Sequence, residues 1–294
     1  MSRSVVEMEG VRYDNVAAHA QQLVEIFEEH GLVVLRGFFS GFAPYLRYVD
    51  DLRALFGALQ RRLGVETPTG GLREDIAAVF AADNYFPRYV HDIGTHPMKL
   101  VSGNLMKYSD AVLTPVRAIF GERAIVASPS GSDNLLFFFP GNEFERYALP
   151  LHQDFPYIMQ SARQLTVWIP LTDHAPGVGG FHAWPGTHRA GLRVNKDGLT
   201  GLEVQVSPDE LAGIEPIVVE GQPGDVVFSH SLLVHKSVPN TSTNDLRAVQ
   251  LFRFSDIATE ESVRYFWQST NHRTTGKGSI TFAEAYPELF IPVE

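Results

Sequence analysis

A chain of 294 residues with a formal net charge of −10 and no cysteine is long enough to bury the core of one large domain or two modest ones. It has no basic tract to neutralise phosphates, which argues against a nucleic-acid partner, and its acidic balance argues against an anionic membrane surface. Without cysteine there are no disulfides, thiolate nucleophiles or cysteine-held zinc or iron–sulfur centres, so a reducing, cytoplasmic setting is expected. No signal peptide follows Met1-Ser2-Arg3-Ser4, and no run of about 18 apolar residues exists to span a membrane.

In chain order, Val16, Leu23, Ile26 and Phe27 predict an amphipathic helix over 15–30, with Gly31 placed to cap it and a strand over 32–35. A second helix is predicted over 42–63, its core face built from Leu46, Val49, Leu52, Leu55, Leu59 and Leu63. A Pro/Gly-punctuated stretch follows, interrupted by a helix over 72–80, and residues 99–120 read as helical again. His91 and His96, beside Asp92, read as surface histidines. From Arg123 strands replace helices, over 124–127, 134–139, 164–171 and 181–184, separated by turns such as Pro176-Gly177-Val178-Gly179-Gly180. Residues 190–215 form a polar insert suited to a lid. Beyond residue 255, Tyr265, Phe266 and Trp267 suggest a C-terminal helix.

The fold expected is α+β with a mainly β core. It is a double-stranded β-helix of the jelly-roll or cupin-like kind, flanked by N-terminal helices and a C-terminal helix. The chain reads as one domain over 1–294: a helical flank (1–122), the jelly roll (123–256) and a cover (257–294). No phosphate-binding glycine loop and no Gly-x-Ser-x-Gly elbow is found.

The chemistry concentrates in Leu149-Pro150-Leu151-His152-Gln153-Asp154-Phe155. On a strand, alternate residues share a face, so His152 and Asp154 point the same way. A third ligand must come from a strand laid alongside. A turn at Gly224-Asp225 opens a strand that runs on to Val234-His235-Lys236-Ser237. After a polar turn over 239–245, a second strand carries Arg247, twelve positions beyond His235, in what reads as a hairpin. Two histidines and a carboxylate on one face leave three positions open on an octahedral metal, the arrangement of non-haem Fe(II) oxygenases. An arginine nearby suits a cosubstrate with a carboxylate tail, because its planar fork binds carboxylates through two parallel bonds. His230 rivals His235, but five residues of unbroken strand put the two on opposite faces. His174 reads as a surface residue, and His182 as a residue that could line the pocket.

The region from about 130 to 256 resembles the phytanoyl-CoA dioxygenase family of Fe(II)/2-oxoglutarate oxygenases. The matching residues are Pro150-Leu151-His152-Gln153-Asp154, Trp184-Pro185-Gly186-Thr187-His188, Gly224-Asp225-Val226-Val227-Phe228, and Leu232-Leu233-Val234-His235-Lys236-Ser237 with Asn240 and Arg247. The opening residues 28–35 are also similar to the family's first strand. The resemblance implies Fe(II) held by His152, Asp154 and His235, and 2-oxoglutarate held at its far carboxylate by Arg247. It implies that Gln153, Trp168 and Ser237 line the cosubstrate pocket and that His188 is structural. Lys236 stands where many members have glycine and is expected to face solvent.

The implied reaction consumes O₂ and 2-oxoglutarate, releases succinate and CO₂, and hydroxylates a substrate C–H bond. Asp154 argues against halogenation, since the related halogenases lack this carboxylate. Phe155, Tyr157 and Ile158 could offer apolar contact to substrate. No basic cluster suits the phosphates of a CoA thioester, so a free small molecule of secondary metabolism is preferred. Two alternatives stay open: a cupin-type Fe or Mn dioxygenase that needs no oxo acid, and a non-catalytic barrel that retains the metal site.

Overall fold

The computed structural model describes residues 5–66, 70–83, 100–128, 133–140, 150–155, 161–173, 177–193 and 206–264. A short strand β1 (Glu7–Met8) and a 3-10 turn over Val16–His19 lead into α1 (Ala20–His30). Gly31 stops α1 in the left-handed region at φ 78°. Glycine takes that conformation without a Cβ penalty, and a Cβ there would lie 2.5 Å from His188 Nδ1. The chain then enters β2 (Leu32–Leu35), which pairs parallel with β1. Next come α2 (Ala43–Leu63), with proline in its first turn, and α3 (Leu72–Ala82). The 99–120 stretch forms two helices, α4 (Val101–Lys107) and α5 (Asp110–Phe120), broken at Ser109.

The strands are β3 (Val126–Ala127), β4 (Asn134–Phe138), β5 (Gln164–Pro170), β6 (Phe181–Ala183), β7 (Ile217–Val219), β8 (Val226–His230), β9 (His235–Ser237) and β10 (Arg247–Asp256). A short α6 (Glu260–Arg264) ends the described chain. They form two sheets. The larger has the order β1-β2-β8-β5-β10-β3, with β4 also paired to β10, and the smaller has the order β7-β6-β9.

Side-chain alternation sorts the large sheet into two faces. Val33 and Leu35 of β2, Leu165, Val167 and Ile169 of β5, and Phe252 and Phe254 of β10 pack outward against Leu23, Phe27, Tyr48, Leu52 and Val112 of the helices. Leu32, Val34, Trp168, Val227, Val249 and Leu251 face the other way, onto Phe181, Ala183 and Val219 of the small sheet. The result is three layers: helices, a large sheet buried on both faces, and a small sheet. Burial on both sides explains why β5 is a near-continuous apolar run.

The structure corrects several expectations. In α2 the core face coincides only in part with the expected set: Leu52 is buried, and Val49 and Leu59 pack half-buried against the core. Tyr45, Tyr48, Leu52 and Phe56 are buried, whereas Leu46, Leu55 and Leu63 are 49%, 40% and 39% exposed. Both sets recur at threes and fours, and the set with the larger aromatic area takes the core. The strand expected to run from 226 to 235 is two strands in different sheets, because Ser231–Val234 turn the chain between them. The expected hairpin is therefore not paired: β9 pairs with β6, and β10 with β5, β4 and β3. His91, Asp92, His96, Tyr157, Ile158, His174, residues 194–205 of the insert and residues 265–294 of the C-terminal cover lie outside the described residues.

Candidate metal centre

His152 and Asp154 do not lie on a regular strand, so alternation is not what aligns them. His152 instead makes a single antiparallel bridge to His235: its N–H donates to His235 O at 2.9 Å, and His235 N–H donates back to His152 O at 3.0 Å. The bridge brings the imidazole centroids to 4.2 Å. Asp154 Oδ1 lies 3.7 Å from His152 Nε2 and 3.8 Å from His235 Nε2. Ligand atoms of these three residues lie within 4.8 Å of one another, and theirs is the one such cluster among the described residues.

The tautomers suit a metal. His152 Nδ1 lies 2.7 Å from Pro150 O and His235 Nδ1 lies 2.9 Å from Leu233 O. Each Nδ1–H donates to its carbonyl, which turns Nε2 toward Asp154. Burial, with His152 beside it, pulls the His235 pKa down to about 4 against the opposing pull of Asp154, so the ring is neutral and ligand-ready at neutral pH. Burial alone would push the Asp154 carboxyl up, but Arg253, His152 and His235 together hold it well below the usual carboxylate range. Its second oxygen, Oδ2, accepts from Thr166 Oγ1 at 2.8 Å and from Arg253 Nη2 at 3.3 Å. Two imidazoles and one carboxylate oxygen, converging with their other polar atoms engaged, fit an octahedral Fe(II) that keeps open positions.

Arg247 starts β10, opposite Phe138 of β4, with its guanidinium 3.8 Å from the centroid of the Phe138 ring. It shares the inner face of β10 with Val249, Leu251 and Arg253. It is buried, and burial lowers its pKa to about 9, so it enters the inter-sheet space as a cation at neutral pH. Trp168 stands on the inner face of β5 against Gly221, where a Cβ would come within 2.7 Å of the indole ring. Phe181 meets Trp168 edge-on at 5.6 Å and His235 at 5.9 Å. Ser237 shares the face of His235 on β9, two residues on, opposite Phe181.

Gln153 faces elsewhere. Its Nε2 donates to Gly191 O at 2.9 Å and Leu232 O at 2.6 Å, and its Oε1 accepts from Arg193 N–H at 2.7 Å. Lys236 pairs with His182 on the face of the small sheet opposite the ligand. His230 and His188 pack on each other away from the metal cluster, ring centroids 5.2 Å apart. Sequence reasoning missed Arg253 and Thr166. Parity gave their face and nothing about their partner: Arg253 shares the face of Arg247, and Thr166 that of Trp168, along their strands.

A helix-backed, two-sheet core carrying two histidines and one carboxylate at a single point fits a mononuclear non-haem iron protein. The chain belongs to the phytanoyl-CoA dioxygenase (PhyH) family, whose sequence model matches residues 27–249. It is an oxygenase, with iron as its metal and 2-oxoglutarate as its cosubstrate. It is 28% identical over 232 residues to the 1-deoxypentalenic acid 11-beta-hydroxylase of Streptomyces exfoliatus, covering 76% of each chain. Its fold is similar to that of the epimerase SnoN in complex with Fe3+, alpha ketoglutarate and nogalamycin RO. That match has a TM-score of 0.54 and 17% identity, and covers 81% of this chain and 84% of the other. The non-heme monooxygenase ThoJ is also similar, with a TM-score of 0.51 and 21% identity, covering 79% of this chain and 76% of the other. Among the described residues, no helix is long and apolar enough to cross a membrane.

Proposed function

We propose that this oxygenase hydroxylates an unactivated C–H bond of a free small-molecule metabolite, as one domain whose two sheets form a double-stranded β-helix. His152, Asp154 and His235 hold Fe(II), and Arg247 holds the far carboxylate of 2-oxoglutarate. The observation that carries this reading is the convergence of His152 Nε2, His235 Nε2 and Asp154 Oδ1, with both Nδ1 atoms committed to carbonyls. Bound there with its oxo acid, the iron supplies O₂ activation and C–H oxidation, with succinate and CO₂ released.

The protein contributes geometry and exclusion of water. Both imidazoles are fixed by the backbone bridge, so ligation costs little reorganisation. Arg247, stacked on Phe138 in a dry space, offers a preformed cation to an incoming carboxylate, where a charge-assisted bond is stronger than in water. Phe181 and Trp168 give the neighbourhood of His235 an apolar wall. The similar hydroxylase is named for 1-deoxypentalenic acid, which supports a small-molecule substrate and hydroxylation as the outcome.

The test is a succinate-release and O₂-uptake screen with Fe(II) and 2-oxoglutarate across a metabolite library. The reading expects oxo-acid consumption coupled to a hydroxylated product. O₂ uptake with substrate oxidation but without oxo-acid consumption would overturn it.

A further inference from the structure

Asp154 raises a question that its two histidine neighbours do not answer. A carboxylate can give a metal one oxygen or two, and a second oxygen would occupy a position that cosubstrate or O₂ needs. Here the two oxygens have different surroundings. Oδ1 faces both imidazoles. Oδ2 is turned away from them, onto Thr166 and Arg253. These two donors are direct cross-strand partners: in the β5–β10 pairing Thr166 stands opposite Arg253, both on the inner face. The pair is therefore a two-donor edge set by the register of two strands buried along their whole length. The Arg253 backbone N–H in turn donates to Asp133 Oδ1 at 3.2 Å, and Asp133 Oδ2 pairs with buried Lys107 of α4, which holds this stretch of β10 in place.

We infer that Arg253 and Thr166 are positioning residues that clamp Oδ2 and leave Asp154 a single oxygen for the metal. The inference rests on the proposed ligand set and adds to it. Outer partners of a ligand orient it and tune its donation, and losing one costs about 10–100-fold in metal affinity. The clamp also sets the coordination number, because an oxygen engaged by a hydroxyl and a guanidinium is not free to close on the metal.

The experiment titrates the metal-free full-length protein with Co²⁺ and records the visible spectrum of the bound ion, whose intensity follows coordination number. Variants are Arg253→Met, Arg253→Lys, Thr166→Val and Thr166→Ser, each checked for a cooperative melt. Arg253→Met and Thr166→Val are expected to weaken Co²⁺ binding by about 10–100-fold and to alter the spectrum. Thr166→Ser keeps the hydroxyl and Arg253→Lys the charge, so both are expected to recover most of the affinity. Should Arg253→Met fail to fold, the Val and Ser variants of Thr166 decide by themselves. Folded variants that bind Co²⁺ within twofold of wild type with an unchanged spectrum overturn the clamp and leave the ligand set standing. A wild-type protein that takes up no Co²⁺ overturns the ligand set, and the clamp with it.

Discussion

His152 and His235 are joined twice over: their backbones exchange N–H donors across one antiparallel bridge, and their imidazoles lie 4.2 Å apart on the same side of it. Eighty-three positions of sequence separate them, and two hydrogen bonds remove that distance. The backbone pairing thus sets the approach of the two imidazoles, which is the physical sense of preorganisation.

Removing any one ligand should abolish iron binding together with turnover. Asp154→Ala, His152→Ala and His235→Ala are expected to lose metal affinity well beyond the ~10–100-fold that outer partners cost. Metal content after anaerobic reconstitution, read beside succinate release, checks this. Full turnover in Asp154→Ala would end its assignment as a ligand.

Arg247 should govern cosubstrate affinity. A hydrogen bond to a charged group contributes roughly 1.5–3 kcal/mol, so Arg247→Met is expected to raise the KM for 2-oxoglutarate by about 10–100-fold. The same oxo acid should raise the melting temperature of the wild type and not of the variant, as binding to the native state alone requires. An unchanged KM would place the cosubstrate elsewhere.

Gln153 should behave as a staple. Its amide joins the ligand segment to Gly191, Arg193 and Leu232 through three bonds. Gln153→Leu removes the partner of those three backbone groups and is expected to cost at least about 3 kcal/mol, at ~1–3 kcal/mol for each buried group left unsatisfied. Denaturant unfolding of the metal-free protein measures it. A normal stability with a raised KM for 2-oxoglutarate would instead make it a cosubstrate residue.

The metal-free protein should lose stability in acid through its buried histidines. Burial lowers the pKa of His188 to about 4, of His230 to about 3 and of His235 to about 4. The unfolded rings titrate near 6.5, so between roughly pH 6.5 and pH 4 the unfolded chain binds more protons than the folded one. Stability is then complete above about 6.5 and falls as pH falls. Near pH 5 unfolding should take up about three protons through these rings, read from the slope of unfolding free energy against pH. His230→Gln should reduce that uptake by about one.

Gly31→Ala should weaken the same region without touching the metal. The residue sits at φ 78°, and its new Cβ would press on His188 Nδ1 at 2.5 Å. Strain in this backbone region is of order 1–3 kcal/mol, and the steric clash adds to it. A lowered melting temperature with unchanged Co²⁺ affinity is the expected pair of results.

Local chemistry made much of this chain legible before folding. The helix stop at Gly31, the strand over 32–35 and the helix expected over 72–80, which runs two residues further to Ala82, follow from short-range rules, because a cap or a periodic stripe depends on neighbours a few residues away. His152, Asp154 and His235 stood out by residue type and spacing. What the sequence did not decide was how far the apolar face of α2 turns from Leu46, Leu55 and Leu63 toward Tyr45, Tyr48 and Phe56. It also left open where Ser231–Val234 turn the chain from one sheet to the other, and which groups hold the far oxygen of Asp154. Those were decided only in the tertiary structure, since register between β5 and β10 brings Thr166 opposite Arg253, and neither carries any mark of the carboxylate it meets. A side chain's partner across a sheet is set by strand pairing over long separations, and one-residue changes of register would turn every such contact to the other face.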